Sequence, residues 1–214
     1  MSESRASSRQ PPLRLSPLPE TGPDPARYRE VIGRFATGVT VVTTFSREPY
    51  GALDGLAPSP KVVGPELHPW GTTVNAFSGL SLDPPLVLIC IGRGRKIHPV
   101  IAAAGRFAIN ILGEDSQDLA DCFAGAPSSY PRSAFCNAPY RVGLTGVPLL
   151  EAAIAHLECT LERSIDAGDH TIYIGRVVDV GGGDDDALPL LYFRQHYLRI
   201  ERAASADLLG IPDD

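Results

Sequence analysis

Short runs of β-branched and apolar residues, bounded by glycine, proline or polar turns, dominate this chain. Examples are Val39–Phe45 (VTVVTTF), Phe107–Leu112 (FAINIL), Ala153–Ser164, Thr171–Val180 and Leu188–Phe193. The strands are mostly not separated by helices of crossover length. About six or seven strands against three short helices predict a mainly β fold, a barrel or closed sheet with a few peripheral helices, and exclude a doubly wound parallel sheet.

The chain of 214 residues is expected to form one domain with loose ends. Residues 1–23 are rich in Ser, Pro and Arg without a hydrophobic period, which predicts a disordered tail. Residues 24–200 form the predicted domain, and residues 201–214 a C-terminal tail. Arg47–Trp70 is dense in Gly and Pro and far longer than a hairpin loop. It is predicted to be a loop insertion, either a functional flap or a disordered insert.

Three helices are predicted from capping residues and apolar spacing. The first begins at Asp24-Pro25, an N-cap followed by a proline suited to the first turn, and is expected to end at Gly38. The second runs from Pro99 to Gly105, and the third lies in EDSQDLADCFAG. The apolar faces are expected to be Tyr28, Val31, Ile32 and Phe35 in the first helix, and Leu119, Cys122 and Phe123 in the third.

Composition excludes several classes of protein. A net charge of −6 argues against a general nucleic-acid binder. No apolar run is long enough for a membrane-spanning helix, and the N-terminus lacks the apolar core of a secretory signal, so a cytoplasmic protein is predicted. The four cysteines, Cys90, Cys122, Cys136 and Cys159, are widely spaced and are predicted to be buried thiols, not disulfides or zinc ligands.

Several catalytic motifs are absent. Gly92-x-Gly94 follows a strand, but Ile97 stands where a dinucleotide-binding fingerprint needs its third glycine. No hydrolase elbow occurs, and no two histidines have the i, i+4 spacing of a zinc protease. The GGGDDD segment, Gly181–Asp186, is predicted to be a solvated turn. No metal site is therefore predicted.

Small polar residues occupy a predicted strand in Gly71–Ile91 (GTTVNAFSGLSLDPPLVLICI). The segment is interpreted as two strands hinged at an Asp-Pro-Pro corner. Thr73, Asn75 and Phe77 are expected on one face, where small side chains let a flat ligand approach the backbone. Because Pro84 keeps Asp83 out of the helical region, residues 81–83 are expected to form a rigid rim. A Greek-key corner with incidental polar groups remains an equal alternative.

Two further segments suggest ligand contacts. Gly92–Lys96 (GRGRK) places three cations and two glycines in one turn, which suits a phosphate site but also an ordinary solvated turn. His170 follows a glycine at the start of a strong strand, where its ring can face a cleft or serve a structural role.

Five segments in order, FATGVTVVTT, TVNAFSGLSLDPPLVLICI, FAINIL, AGDHTIYIGRV and LLYFR, resemble the flavin reductase domain family, the small reductase components of two-component flavin monooxygenases. The resemblance runs from about Arg27 to about Arg199. It implies a split β-barrel, Greek-key-like and FMN-binding, that acts as a homodimer. It further implies binding of FMN or FAD, hydride transfer from NADH or NADPH, and release of reduced flavin to a separate monooxygenase.

The resemblance also assigns site residues. Thr73, Val74, Asn75 and Ala76 would line the isoalloxazine and ribityl chain, and Ser81, Leu82 and Asp83 would contact the polar edge of the ring. Cys90 would lie beneath the ribityl region, and Phe107 and Asn110 would close the other side of the pocket. His170 would sit where the nicotinamide stacks, as an orienting group and not an essential base, because hydride transfer depends chiefly on positioning.

The chain departs from the family pattern at two places. Where relatives commonly carry a Ser- and Thr-rich phosphate loop, this chain has GRGRKIHP, so phosphate binding would rest on Arg95, Lys96 and backbone amides. The 47–70 insertion replaces a tight turn. Two other functions stay open: a flavin-retaining enzyme acting directly on a small organic substrate, and a non-catalytic flavin-binding protein.

Overall fold

The computed structural model describes residues 21–47, 67–130, 135–183 and 186–201. The helices within these ranges are α1 (Pro25–Ile32), α2 (Ile97–Ala104) and α3 (Gln117–Ala124), with a 3₁₀ helix, Glu114–Ser116, before α3. The strands are β1 (Thr37–Gly38), β2 (Thr40–Ser46), β3 (His68–Val74), β4 (Phe77–Leu82), β5 (Pro85–Gly92), β6 (Arg106–Leu112), β7 (Tyr140–Val142), β8 (Pro148–Leu150), β9 (Ala153–Ala167), β10 (His170–Gly182), β11 (Leu191–Phe193) and β12 (His196–Leu198).

The main sheet has seven antiparallel strands in the order β3-β2-β6-β9-β10-β5-β4. In a flat sheet its two edge strands would lie roughly 29 Å apart. Yet β3 and β4 are consecutive, and residues 75 and 76 alone join them, a link that spans at most about 11 Å. The sheet must therefore curl until its edges meet. The Cys90 amide donates to the Ala76 carbonyl at 3.0 Å, which extends the β4–β5 pairing into this link.

Apolar side chains fill the barrel and the space beneath two helices. The first cluster lies inside the barrel and under α2, and includes Trp70, Ile89, Ile101 and Phe107. The second packs beneath α3 and the small β1-β11-β12 sheet, and includes Leu112, Leu119 and Phe123. The prediction of a mainly β fold with a few short peripheral helices is confirmed.

Helix α1 has the predicted start but not the predicted end or burial. The Asp24 carboxylate accepts from the amides of Ala26 and Arg27 at 3.1 and 3.0 Å, and Pro25 occupies the first turn. The helix ends at Gly33, not at Gly38, so Phe35 lies beyond it. Its apolar residues were expected to pack inward, but none of α1 is buried in the single chain, because the helix lies outside both clusters.

The predicted 47–70 insertion is too long at its C-terminal end. His68–Trp70 belong to β3 and pair with Ser46–Thr44 of β2, and the Trp70 side chain is buried in the barrel. Cross-strand pairing, which spacing alone does not show, places these residues in the sheet. Residues 48–66 and nearly all of both predicted tails lie outside the described residues. A short strand, β7, lies between α3 and β8 and pairs with β8.

The prediction of four thiols is wrong for two of the cysteines. Cys122 and Cys136 form a disulfide with a Cα–Cα distance of 6.2 Å, whereas Cys90 and Cys159 are free. Helix α3 carries Cys122 to the segment that follows residue 134, and their 14-residue separation has no recognisable motif spacing. Burial raises the pKa of the Cys159 thiol to about 12, with a smaller contribution from the charge of Glu158.

Candidate active site

Three neighbouring cavities follow strand β3 and share lining residues; together they are called the β3 groove. The largest, of about 300 Å³, extends from Trp70 to the basic turn and the end of α3. It shares Thr72 and Arg95 with a second cavity of about 150 Å³. The second cavity shares Thr73 and Asn75 with a third, also about 150 Å³, which reaches β11 and β12. The second cavity is lined by Thr72, Thr73, Val74, Asn75, Ala76, Cys90, Ile91, Gly92, Arg95 and His170.

The four predicted strand residues lie together in this groove. The Thr73 hydroxyl donates to the carbonyl of Ala120 in α3 at 2.6 Å, so it is tied to the groove wall. Val74 is buried in the barrel, whereas Asn75 and Ala76 are exposed at the seam between β3 and β4. The segment thus has one strand break more than predicted, at residues 75–76, in addition to the Asp-Pro-Pro turn.

The basic turn borders the same groove. Arg95 lines two of the cavities, and its guanidinium donates to the Ala124 carbonyl at the end of α3 at 3.4 Å. Lys96 precedes α2 and lines the cavity beside Trp70. Cys90 lies in the adjoining cavity, and its partial burial raises the pKa of its thiol. The structure therefore brings the predicted cationic and strand residues together.

His170 faces the basic turn across the β10–β5 pairing, where it lies opposite Gly92. Its Nδ1 lies 2.7 Å from Asp169 Oδ1, and this hydrogen bond lowers the pKa of Asp169. A Cβ placed on Gly92 would lie 3.6 Å from His170 Nε2 and 3.7 Å from Arg95 Cγ. Because the carboxylate engages Nδ1, Nε2 is the ring nitrogen directed toward the groove.

Three predicted residues lie elsewhere. Ser81 and Leu82 end β4 and Asp83 begins the turn into β5, whereas Ala76 lies at the other end of β4. Ser81 lies five positions after Ala76 along the strand, a distance of roughly 16 Å. Residues 81–83 are absent from the lining of the β3 groove, so their contact with a flavin stays a prediction.

Phe107 and Asn110 were expected to close the pocket, but both are fully buried in the core. Phe107 packs inside the barrel, where its ring approaches Gly175. The Asn110 amide donates to the Val41 carbonyl and the Thr43 hydroxyl, and its Oδ1 accepts from the Leu150 amide at 2.8 Å. Asn110 thereby joins β2, β6 and β8. The expectation that these two residues line the groove is corrected: they lie on opposite faces of β6, and each face is covered by other parts of the protein.

Sequence reasoning did not identify the far wall of the groove. Phe123 and Ala124 of α3 and the pair Tyr192 and Tyr197 line it. The two tyrosine rings meet edge to face with centroids 5.3 Å apart. Burial, with smaller contributions from neighbouring Asp121 and Tyr192, raises the pKa of Tyr197 to about 12. Aromatic residues in the LYFRQHYL segment were the available signal.

The model of the flavin reductase like domain matches residues 32–201. The chain belongs to this family. It is 37% identical over 177 residues to the NADH-dependent flavin reductase of a Rhodococcus species, which covers 83% of this chain and 87% of that protein. It is 33% identical over 178 residues to the flavin-dependent monooxygenase reductase subunit HsaB of Rhodococcus jostii, with coverages of 83% and 79%.

Solved structures of flavin reductases have the same fold. The NADH:FAD oxidoreductase SgcE6 of Streptomyces globisporus, in complex with NAD and FAD fragments, superposes with a TM-score of 0.68 at 31% identity. The alignment covers 85% of this chain and 96% of that one. The resemblance found in the sequence and the split-barrel prediction are both confirmed.

The β3 groove suits a flavin chemically. Arg95 and Lys96 supply positive charge for a phosphate at one end, and Asn75 and the hydroxyls of Thr72 and Thr73 offer polar groups along the strand. Tyr192 and Tyr197 supply apolar wall for a ring system. No helix among the described residues is long and apolar enough to cross a membrane. In the same part of the chain, no group of three His, Cys, Asp or Glu side chains is arranged to hold a metal ion.

Proposed function

We propose that this flavin reductase family member is an NAD(P)H:flavin oxidoreductase that binds FMN or FAD in the β3 groove. The observation that carries the proposal is the cavity in which Thr72–Ala76, Arg95 and His170 meet. It joins a cationic end, a strip of small polar residues and an imidazole in one groove. The Rhodococcus relative named as an NADH-dependent flavin reductase supports the reaction.

The protein contributes binding and orientation. When both substrates are bound, the nicotinamide supplies a hydride to the flavin, and the two rings need to be held in contact with water excluded. Arg95 and Lys96 attract the phosphate, and Asn75 with Thr72 and Thr73 holds the polar chain. His170, oriented by Asp169, presents Nε2 to the groove as a hydrogen-bonding group. No general base is required for this transfer.

We infer that the flavin is released after reduction. Asn75, Ala76, Arg95 and His170 are exposed, so the groove is open to solvent and offers a route by which the flavin can enter and leave. A relative that is the reductase subunit of a flavin-dependent monooxygenase supports a separate monooxygenase as the acceptor of the reduced flavin. The flavin is thus a substrate of this chain and not a retained prosthetic group.

We further propose a homodimer. Tyr28, Val31, Ile32 and Phe35 at and after α1 are each more than half exposed in the single chain, at 58%, 51%, 53% and 73%. An exposed apolar surface of this kind marks a protein interaction site. Two-fold symmetric homodimers are the commonest protein oligomers. Light scattering on the purified protein should give twice 22.8 kDa. A monomer mass at micromolar concentration would contradict the proposal.

We place the chain in the cytoplasm, where NADH and NADPH are available. The Cys122–Cys136 disulfide is unusual for that compartment. Fractionation of cells that produce the chain at native level tests the location.

Steady-state assays test the function directly. Purified protein is mixed with FMN, FAD or riboflavin and with NADH or NADPH, and oxidation of the nicotinamide is followed by absorbance. We expect turnover that depends on added flavin, with at least one flavin saturating. A tightly bound flavin after purification, with no turnover of added flavin, would favour a flavin-retaining enzyme. No nicotinamide oxidation with any flavin would overturn the enzymatic proposal.

A further inference from the structure

A chain of hydrogen bonds ties the basic turn to the strand that carries His170. The Arg93 amide donates to the Asp169 carbonyl at 3.0 Å, and the Arg93 guanidinium lies 3.2 Å from Asp166 Oδ2. The other Asp166 oxygen, Oδ1, accepts from the Thr171 hydroxyl at 3.3 Å. Thr171 in turn contacts His98 Nε2 at 2.9 Å. The basic turn, β9, β10 and helix α2 are thus connected through four side chains, those of Arg93, Asp166, Thr171 and His98.

The direction of the Thr171–His98 hydrogen bond follows from donor counting. A threonine hydroxyl has one hydrogen, which Thr171 gives to the Asp166 carboxylate. Its oxygen then accepts from His98 in the tautomer that carries the proton on Nε2. Thr171 is only 3% exposed, so water does not readily replace this partner. The contact is a part-buried link between β10 and α2.

His98 is held at its backbone as well as at its ring. Its carbonyl accepts from the Tyr173 hydroxyl at 2.9 Å, and the two rings meet edge to face with centroids 5.6 Å apart. Its amide donates to the Arg95 carbonyl at 3.0 Å. His98 therefore connects Arg95, which lines the β3 groove, to Thr171, which directly follows His170. Neither Thr171 nor His98 itself lines the groove cavities.

We propose that Thr171 and His98 are positioning residues that hold Arg95 and the basic turn where the flavin phosphate binds. This inference rests on the proposed function. The turn lacks hydroxyl side chains between Gly92 and Lys96, so its phosphate affinity depends on where its cations and amides are held. The Thr171–His98 bond fixes that position against β10. The link acts on the phosphate end of the flavin and not on the ring.

The test compares Thr171→Val, which keeps the shape but removes the hydroxyl, with Thr171→Ser, which keeps the hydroxyl. Dissociation constants for FMN and for riboflavin, which lacks the phosphate, are measured by flavin fluorescence. We expect Thr171→Val to weaken FMN binding about tenfold and riboflavin binding less than about twofold. KM for FMN should rise in parallel while kcat changes little, and Thr171→Ser should restore most of the loss.

His98→Leu provides the second variant, since it removes the other partner of the same hydrogen bond. It should show the same selective loss, and the double variant should be little worse than either single one. If Thr171→Val weakened the binding of FMN and of riboflavin equally, or if the folded variant bound FMN as wild type does, the positioning role of Thr171 and His98 would be wrong. The proposed flavin reductase function would be unaffected. Equal wild-type affinity for FMN and riboflavin would overturn the phosphate role of the basic turn, and the inference with it.

Discussion

Glu158 is a fully buried carboxylate whose replacement by Gln should destabilise the fold measurably. It lies on β9, between Ala108 and Asp179 of the neighbouring strands, and reaches the turn between β7 and β8. Its Oε1 accepts from the Leu144 amide at 2.9 Å, and its Oε2 accepts from the amide and hydroxyl of Thr145 at 2.7 and 2.6 Å. All three bonds involve a charged acceptor.

The magnitude follows from counting acceptors. Gln keeps one oxygen, which can serve the two Thr145 donors, but its NH₂ group would then face the Leu144 N–H. The variant therefore loses at least one charge-assisted hydrogen bond and leaves a buried amide without an acceptor. Each such bond is worth about 1.5–3 kcal/mol, so we expect Glu158→Gln to lower the free energy of unfolding by about 2–4 kcal/mol.

Urea unfolding followed by circular dichroism measures this loss, and its pH dependence provides a second check. Burial raises the pKa of Glu158, but the hydrogen bonds from Thr145 and Leu144 outweigh it and hold the pKa below the ordinary value of 4.5. A lowered folded-state pKa means that the stabilisation is present above pH 4.5 and is lost as pH falls through the folded value. The difference between wild type and variant should therefore shrink on acidification.

Glu162→Gln is the matched control, because it makes the same change on the same strand. Glu162 pairs with Arg176 at 2.8 Å on the surface, so its loss should cost less than about 1 kcal/mol. If Glu158→Gln were no more destabilising than Glu162→Gln, or if its effect grew toward acid pH, the assignment of Glu158 as a buried turn-stabilising carboxylate would be wrong.

Three further predictions concern the groove. His170→Ala should slow flavin reduction by ~10 to 100-fold without abolishing it, because His170 orients and is not a base; complete loss of turnover with flavin still bound would contradict this. Reduction of Cys122–Cys136 should lower the free energy of unfolding by about 3 kcal/mol, as expected for a loop of this length, and Cys122→Ser should abolish the response to reductant. Gly71→Ala should weaken flavin binding and lower Tm, because the added Cβ would lie 2.5 Å from the Phe123 ring. If flavin affinity and Tm were both unchanged, α3 would have to move aside without cost, which would contradict the prediction.

The local features of this protein were predictable from neighbouring residues. Helix α1 begins at Asp24-Pro25 because the Asp24 carboxylate accepts hydrogen bonds from the next few backbone amides. Helix α2 ends at Gly105, which takes the left-handed conformation that glycine adopts readily. The ordered segments also identified the family and its fold. Much of the strand side of the site followed as well, because Thr73–Ala76 and Arg95 belong to recognisable segments.

Other features depended on contacts between distant residues. The disulfide requires α3 to meet the segment after residue 134, and Trp70 joins β3 because it pairs with Thr44. Asn110 is a polar residue that could have contacted a ligand, but its side-chain amide is hydrogen-bonded to β2 and β8. Its burial is a property of the closed barrel, not of its neighbours in sequence.

The sequence by itself thus determined the strand-rich fold, the family and the polar strip along β3. Only the tertiary structure decided which polar groups face the groove and which form hydrogen bonds inside the protein. The physical reason is that a hydrogen-bonding side chain can bind a ligand only when it reaches the groove and keeps donors or acceptors that distant partners leave unused, as Thr73 and Arg95 do and Asn110 does not. Thr171 and His98 illustrate this, since their bond spans 73 residues and can be seen only where β10 meets α2.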